Sequence, residues 1–322
     1  MTEASSELPP LGEVRTLPKG RPIGYVMAIG GALFFSVNGS VSKVALDTGM
    51  DSTSLVLLRS AGAMVCLLAL VLAVAPRRLR VRRDEIPLLV LYGVVGIALV
   101  QWLYFVAIAR LPVGVALLLE FTAPLMVALW ARFVQHKVLG RGLWLALGLA
   151  LGGLSLVAQV WQGLTLDLVG VLAGLAAAVS LATYFVLGEK AVVDRDTLSL
   201  AFWAFVVATV FWSVLNPWWT VPWATMADQV PLQGALDAVT VPMWVLVVWI
   251  VVLGTVVPFL LVIGALRHVP ATRAGIMGTL EPVLAGLIAY WWLGETLAPV
   301  QVMGAVVVLV GVALAQLATS GA

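Results

Sequence analysis

The sequence predicts an all-α membrane protein with ten transmembrane helices in two inverted five-helix repeats. Three observations lead to this fold class: the composition, the number of long apolar segments, and a repeat that spans half the chain. Of the 322 residues, 62% are hydrophobic and only 11% are charged, whereas a typical soluble domain contains about 25% charged residues. The composition therefore indicates a chain that lies mostly inside a lipid bilayer.

The apolar segments account for ten membrane crossings, because a helix needs about 20 mostly apolar residues to span the bilayer. The expected spans are, approximately, residues 24–46, 53–75, 86–109, 113–134, 142–161, 168–188, 198–215, 242–266, 274–293 and 300–319. Residues 1–22 are polar and rich in proline, which predicts a disordered cytoplasmic tail.

The distribution of lysine and arginine predicts the orientation of the helices, since basic residues concentrate in cytoplasmic loops. If the N-terminus is cytoplasmic, 15 of the 18 basic residues fall on the inner side and only Arg110 falls outside. Lys43 and Arg59 lie within spans. Both termini are therefore expected to be cytoplasmic. We interpret the basic loops as topology signals that also explain the net charge of +2, and we predict no nucleic-acid partner.

An internal repeat divides the chain into two halves. The stretch "AIARLPVGVALLLEFTAPLMVAL" aligns with "ALRHVPATRAGIMGTLEPVLAGL" at an offset of 158, which places Pro124 opposite Pro282. Earlier in each half, "SVSKVALD" aligns with "LGEKAVVD" at an offset of 147, so that Lys43 matches Lys190. The halves are expected to be residues 23–161 and 168–319, each with five helices.

Five helices per half make the repeat inverted, because the second copy must enter the membrane from the opposite side. Many secondary transporters are built from inverted repeats, which exchange conformations to open towards either side. The repeat therefore favours a transporter. A passive channel or a structural membrane subunit remains the alternative class.

The repeat also carries a family resemblance. The segment "LEPVLAGLIAYWWLGETLAPVQVMGAVVVLVGVAL" resembles the EamA domain of the drug/metabolite transporter superfamily. The first half, through "IPLLVLYGVVG" and "RLPVGVALLLEFTAPLMVAL", is similar to the bacterial threonine/homoserine exporter group. The resemblance implies a multi-pass carrier of the bacterial inner membrane that exports small amphipathic metabolites. The sequence departs from the family at "VQHKVLG", where "LGE" is usual, and in a long tryptophan-rich loop at 216–241.

Glu120 is the first candidate site residue, because an acid inside the hydrocarbon costs about 2.5–3.5 kcal/mol and is functional by default. It lies seven residues into the fourth span, about 10 Å deep. Arg59 lies six residues into the second span, about 9 Å deep. The matching depths predict that Arg59 and Glu120 pair, directly or through a substrate. In the alternative interpretation, Arg59 reaches outwards to the lipid headgroups.

Glu281 is the second candidate acid and occupies the mirrored position in the ninth span. We expect it near the inner entrance and Glu120 near the outer entrance. Arg59 matches Val206 in the second half, so Glu281 has no obvious basic partner. An unpaired buried carboxylate favours its neutral form, which makes Glu281 the candidate for proton coupling. Alternatively, the two acids satisfy backbone groups that are freed by the helix breakers Pro124 and Pro282.

A few other polar side chains inside the spans are candidates for substrate binding. They are Ser36 and Asn38 on the first span, Gln101 and Tyr104 on one face of the third, and Thr183 and Tyr184 on the sixth. Each could instead serve helix packing. The pairs Gly148/Gly152 and Gly170/Gly174 are expected to allow close helix packing.

The sequence argues against enzymatic chemistry. It contains no P-loop lysine, no HExxH motif and a single cysteine, Cys66, so that we predict no ATP hydrolysis, metal or cofactor. Transport would use a proton gradient or the gradient of the substrate. The expected partners are a small-molecule substrate and membrane lipid, with a monomer and a homodimer both open. The substrates could be amino acids such as threonine and homoserine, or drugs, nucleotide-like metabolites or vitamins.

Overall fold

The fold is described from a computed structural model of the chain. The described residues are 22–74, 76–134, 136, 141–158, 166–194, 196–265, 268, 277–278 and 280–320. The tail expected at residues 1–22 lies outside them, apart from Pro22.

Helices dominate the described residues. The α-helices are α1 (Pro22–Asp47), α2 (Ser52–Val74), α3 (Ile86–Gly93), α4 (Val100–Ile108), α5 (Val113–Glu120), α6 (Ala123–Phe133), α7 (Arg141–Ala158), α8 (Leu168–Asp194), α9 (Thr197–Leu215), α10 (Met243–Val251), α11 (Val257–Ala265), α12 (Leu280–Leu293) and α13 (Pro299–Ser320). Short 3₁₀ turns occupy Pro76–Leu79, Arg83–Glu85, Trp218–Thr220, Trp223–Thr225 and Gly234–Leu236.

The helices correspond to the ten predicted spans. Within the described ranges, six helical segments are long and apolar enough to cross a membrane, and four shorter apolar helices occupy the remaining predicted positions. Large apolar side chains on the outer surface, such as Val26, Leu151 and Trp291, are more than 60% exposed. Such an apolar surface is stable when lipid covers it.

Two of the spans contain a π-helical turn at matching places in the two halves. The first turn, Val94–Leu99, joins α3 to α4, and the second, Val252–Val256, joins α10 to α11. The offset of 158 between Val94 and Val252 is the one that aligns Pro124 with Pro282. A π-helical turn widens the helix locally and often marks a functional site.

Close glycine contacts hold the helices together. Gly153 of α7 packs on Gly304 of α13, where a Cβ on either glycine would lie 2.7 Å from the carbonyl oxygen of the other. Gly170 and Gly174 of α8 pack against Leu111 and Leu119, which confirms the close packing expected for that pair.

The expectation for Gly148 and Gly152 is wrong. Among the described residues, no atom of another helix lies within 4 Å of a Cβ placed on either of them. Gly153, the next residue, makes the contact instead, because the crossing with α13 falls on the neighbouring face of α7.

The tryptophan-rich loop departs from a purely α-helical structure. It contains two short strands, β1 (Gln229–Pro231) and β2 (Thr240–Pro242), which pair antiparallel with Val230 opposite Val241. The loop lies against the C-terminal end of α12, where the Trp292 indole N–H donates to the carbonyl of Leu232 at 2.9 Å. The strands lie between α9 and α10, and the spans contain no other strand in the part of the chain that the structure describes.

Candidate functional site

The helix break at Glu120 is the starting point of the site. α5 ends at Glu120 and α6 begins at Ala123. The Thr122 hydroxyl donates to the carbonyl of Leu119 at 2.7 Å, and the same carbonyl accepts the Thr122 N–H at 3.1 Å, so that a tight turn closes the end of α5. Pro124 is the second residue of α6, where its missing N–H costs no helical hydrogen bond. The break predicted from Pro124 is therefore present.

In the second half, Pro282 lies in the first turn of α12, which begins at Leu280. Residues 269–276 and 279, just before it, lie outside the described residues. The break predicted there stays a prediction.

The two glutamates are brought together by the crossing of α5 and α12, which run antiparallel. The first N–H of α5, on Val113, donates at 2.8 Å to Glu295, just beyond the C-terminal end of α12. At the next residue of α5, a Cβ on Gly114 would lie 2.8 Å from the Cα of Gly286 in the middle of α12. Five or six residues past this crossing, both helices reach their glutamate, so that Glu120 and Glu281 lie at a similar depth.

The expectation of one acid at each entrance is consequently wrong. Glu120 and Glu281 are close enough to interact electrostatically with each other. The depth estimate from the sequence counted residues from the assumed ends of the spans. Such a count does not reveal which residues of α12 lie opposite which residues of α5.

Arg59 on α2 is buried, with 6% of its surface exposed. Its Nε donates to the hydroxyl of Thr255, in the second π-helical turn, at 2.8 Å. Its guanidinium carbon lies 5.5 Å from the ring centroid of Phe105, a distance at which a cation interacts with an aromatic face. Arg59 therefore points into the protein, and the alternative that it reaches towards the headgroups does not hold.

Arg59 interacts electrostatically with both Glu120 and Glu281. Glu281 therefore has a basic residue nearby that the sequence did not indicate, since the α5–α12 crossing places it towards the same arginine. In the described part of the chain, however, no ion pair within 4.0 Å joins Arg59 to either carboxylate. The guanidinium and the two carboxylates are thus near one another without direct contact.

Three further predicted residues are buried on the neighbouring helices α4 and α1. Tyr104 is buried on α4 and lies close to Arg59 and both glutamates. Gln101, on the same face of α4, and Asn38, on α1, are also buried. Within the described ranges, Gln101 Oε1 and Asn38 Oδ1 have no hydrogen-bond partner. Buried amide oxygens without partners are costly, and they are suited to accept hydrogen bonds from a bound molecule.

The other predicted residues have different surroundings. Ser36 Oγ lies 2.7 Å from the carbonyl of Ala32 and 3.0 Å from that of Glu281, so it links α1 to the first turn of α12. The Thr183 hydroxyl donates to Val179 within its own helix.

Tyr184 stacks on Tyr92 with ring centroids 5.0 Å apart. It lies ten residues beyond Gly174, which packs against Leu119, and is thus about 15 Å further along α8. Thr183 and Tyr184 are therefore not brought together with the charged cluster.

Sequence reasoning missed Thr255 and Phe105, which hold Arg59. Both lie in apolar runs, and nothing in their spacing distinguishes them from packing residues. It also missed that Lys43 Nζ lies 2.6 Å from Glu295 Oε1, since these two residues are 252 positions apart.

One arginine and two carboxylates therefore lie near one another inside the protein, beside the break between α5 and α6. We name Arg59, Glu120 and Glu281 the charged cluster. Groups of opposite charge held a short distance apart can receive a small molecule that itself carries a carboxylate and an ammonium group. Such sites at broken helices are a recurrent feature of secondary transporters.

Comparisons with known proteins agree with this architecture. The model of the EamA-like transporter family matches residues 22–159 and 168–317. A protein of known crystal structure is 18% identical, with a TM-score of 0.60, over 92% of this chain and 97% of that protein, which shows a shared fold alone.

Several curated proteins are also similar. The threonine/homoserine exporter RhtA of Escherichia coli strain K12 is 29% identical over 240 residues, which are 71% of this chain and 70% of the exporter. An uncharacterized transporter of Archaeoglobus fulgidus is 29% identical over 282 residues, 86% of this chain and 91% of that protein. The uncharacterized transporter YdfC of Bacillus subtilis is 28% identical over 71% of this chain and 70% of that protein.

The family model covers almost the whole chain in two copies, and it confirms the resemblance drawn from the sequence. Because the family consists of transporters, the match also confirms the prediction that the chain is a transporter and not an enzyme. The chain belongs to the EamA-like transporter family and is a multi-pass membrane transporter of a small-molecule substrate.

Proposed function

We propose that this chain exports small zwitterionic amino acids, such as threonine and homoserine, across the bacterial inner membrane. The observation that carries the proposal is the charged cluster of Arg59, Glu120 and Glu281. Arg59 binds the carboxylate of the substrate, and the two glutamates bind its ammonium group. The similarity to proteins named threonine/homoserine exporters supports the same substrate class. Export of drugs, nucleotide-like metabolites or vitamins remains the alternative.

Charge balance suggests how protons take part. Two carboxylates beside one guanidinium have a net charge of −1, and two like charges at close range favour the sharing of one proton. In this mechanism, one glutamate carries a proton while the site is empty, and the ammonium group of the substrate displaces it. Each exported amino acid is then exchanged for one proton that enters from the outer side.

Alternating access in this proposal depends on two inverted halves, residues 23–161 and 168–319, with both termini in the cytoplasm. The matching π-helical turns and the antiparallel pairing of α5 with α12 support inverted repeats. The basic residues of the loops support the orientation. A cavity of about 10 Å³ lies beside Thr255, between Leu67 and Phe259, and has room for about one water molecule. In this proposal, an amino acid enters the charged cluster when the two halves separate on one side.

The proposal is tested by counterflow in proteoliposomes. Vesicles loaded with unlabelled threonine should accumulate labelled threonine or homoserine, and uptake should saturate with concentration. Arg59→Ala should abolish this exchange, whereas Arg110→Ala should not, because Arg110 is an exposed arginine that lies 3.8 Å from Asp167. A panel of drugs, nucleotides and vitamins is tested in parallel. Exchange of one of these alone would replace the amino-acid proposal, and flux without saturation would indicate a channel.

A further inference from the structure

The hydroxyl of Thr255 lies between Arg59 and the backbone of the second π-helical turn. Thr255 is buried, with 1% of its surface exposed. Its Oγ1 donates to the carbonyl of Ile250 at 2.8 Å and accepts from Arg59 Nε at 2.8 Å. A hydroxyl has a single proton. Since that proton is used by Ile250, a lone pair of Oγ1 is directed towards Arg59.

This contact determines which edge of the guanidinium is available. An arginine can bind a carboxylate with two hydrogen bonds, either through Nε and one Nη or through both Nη groups. Thr255 occupies Nε, and Phe105 lies against the guanidinium at 5.5 Å. In the described part of the chain, neither Nη1 nor Nη2 of Arg59 makes a hydrogen bond. The pair of Nη groups is therefore the edge left for a ligand.

The π-helical turn makes the position possible. Gly254, beside Thr255, has no side chain, and a Cβ there would overlap the amide of Asn38. Asn38 of α1 therefore approaches the turn closely, and its Oδ1, which has no hydrogen-bond partner among the described residues, lies against Gly254. Two neighbouring residues of the turn thus contact polar groups of other helices. Thr255 contacts Arg59, and Gly254 contacts the unpaired oxygen of Asn38.

We propose that Thr255 is a positioning residue for substrate recognition. It holds Arg59 through Nε so that Nη1 and Nη2 bind the substrate carboxylate end-on, and it does not itself touch the substrate. This inference rests on the proposed function, specifically on the assignment of the carboxylate to Arg59. Thr255 would then determine how strongly the carrier prefers a substrate with a carboxylate over one with an uncharged group in that position.

The test compares Thr255→Val, which removes the hydroxyl but keeps the shape, with Thr255→Ser, which keeps the hydroxyl. Thr209→Val is the matched control, because the Thr209 hydroxyl is also buried and donates to a helix carbonyl, that of Phe205, at 2.7 Å. Threonine counterflow is measured together with competition by threonine amide, which lacks the carboxylate. Thr255→Ala serves as the second variant if Thr255→Val does not insert into the membrane.

In Thr255→Val, the KM for threonine should rise roughly tenfold, as expected for the loss of a hydrogen bond to a charged group, while the maximal rate changes less than about twofold. The preference for threonine over its amide should fall by a similar factor. Thr255→Ser and Thr209→Val should behave like the unmodified protein. In an Arg59→Lys background, Thr255→Val should have no further effect, since it acts through the guanidinium.

Several results would overturn the assignment of Thr255. They are an unchanged KM in Thr255→Val, an equal change in Thr209→Val, a loss of maximal rate with the preference intact, or no rescue by Thr255→Ser. The failure of the proposed function would look different. In that case the unmodified protein would not exchange threonine, homoserine or any other amino acid.

Discussion

Two helix crossings at repeat-related positions differ in chemistry although corresponding elements meet at each. At the first, α2 packs on the second π-helical turn and places Arg59 on Thr255. At the second, α9 packs on the first π-helical turn. There the offset of 147 places Val206 where Arg59 would be, and the offset of 158 places Ile97 where Thr255 would be. The polar pair of one crossing is thus an apolar pair at the other.

The difference shows that a symmetric scaffold carries an asymmetric site. An apolar crossing needs only complementary packing, whereas a buried arginine needs partners that offset its loss of hydration. Thr255 supplies one partner, and Glu120 and Glu281 supply the opposite charge nearby. The protein therefore has a cationic anchor at one crossing, built from an arginine of the first half and a threonine of the second.

The largest effect is expected from breaking the polar crossing. Arg59→Ala and Glu120→Ala should each lower the counterflow rate by roughly 100-fold or more, because each change leaves an opposite charge buried without compensation, which costs about 3–5 kcal/mol. The double variant should be no worse than either single variant, since the two residues act on the same substrate. Initial rates in proteoliposomes measure all three.

Arg110→Ala and Asp167→Ala provide the matched pair for this cycle, as these charges lie 3.8 Å apart with both side chains more than 40% exposed. Their effects should be small, as is usual for exposed ion pairs. If the effects of Arg59→Ala and Glu120→Ala simply add, the two residues do not act together.

The second prediction separates the roles of the two acids beside Arg59. Glu281→Gln keeps the shape of the neutral acid but cannot release a proton. Threonine counterflow should persist, because Glu120 is intact and the amide oxygen of the glutamine can still accept a hydrogen bond from the ammonium group. Uptake driven by an imposed pH gradient should fall roughly tenfold or more, as for the loss of a proton-transfer group. Glu85→Gln, at the start of α3, is the control. A Glu281→Gln protein that responds to the pH gradient like the unmodified one would make Glu281 a brace for the helix break.

A third prediction concerns the contact between the C-terminal end of α1, the start of α5 and the segment after α12. Lys43 donates to Glu295 at 2.6 Å and to the carbonyl of Leu111 at 2.9 Å, and Glu295 also accepts the Val113 N–H at 2.8 Å. The repeat-related positions carry two like charges, Lys137 and Lys190, so this contact has no counterpart in the sequence of the other end.

Glu295→Ala should therefore lower the free energy of unfolding by about 1–3 kcal/mol, because it leaves both Lys43 and the first N–H of α5 without their acceptor. Lys43→Ala should cost less, since Glu295 keeps the Val113 N–H. Thermal unfolding in detergent measures both. An equal loss in the two variants would mean that the helix cap at Val113 contributes nothing.

The smallest effect is expected at the N-terminal ends of the two helices that form the crossings. Asp51 Oδ1 accepts the N–H groups of Thr53 and Ser54 at 2.9 and 2.8 Å before α2, and Asp196 accepts the N–H of Ser199 at 3.2 Å before α9. Asp51→Ala and Asp196→Ala should each lower the free energy of unfolding by about 1 kcal/mol. KM should not change, because neither residue touches the charged cluster.

The contribution of Asp51 should depend on pH. Burial of this carboxyl favours protonation, but the hydrogen bonds from Ser54 and Thr53 outweigh it, and the pKa of Asp51 is lowered from its ordinary value. A lowered pKa in the folded state stabilises the protein above the unfolded-state pKa, and this stabilisation is lost as the pH falls through the folded-state pKa. The gap in melting temperature between Asp51→Ala and the unmodified protein should therefore close in acid. A gap independent of pH would contradict the role of the ionised carboxylate.

Much of the fold could be predicted from local patterns. Spanning length and apolarity predict the ten helices, Pro124 predicts the break after Glu120, and buried charge identifies Arg59, Glu120 and Glu281 as candidates. The registers of the helices could not be predicted in this way. Gly148 and Gly152 have the spacing of a packing motif, yet Gly153 makes the contact, because the crossing angle with α13 decides which face of α7 is covered.

The sequence by itself determined that the chain lies in a membrane, that it repeats, and that charged residues are buried in it. The first follows from composition, because the bilayer core accepts only segments that satisfy their own backbone groups, and the repeat and the charged residues in apolar segments are visible in the order of the residues. Only the tertiary structure decided that Glu120 and Glu281 lie beside the same arginine and that Thr255 holds it. These contacts depend on where α5 crosses α12 and where α2 meets the second π-helical turn. Such crossings are set by the packing of side chains far apart in the chain, and the spacing of residues along the sequence does not record them.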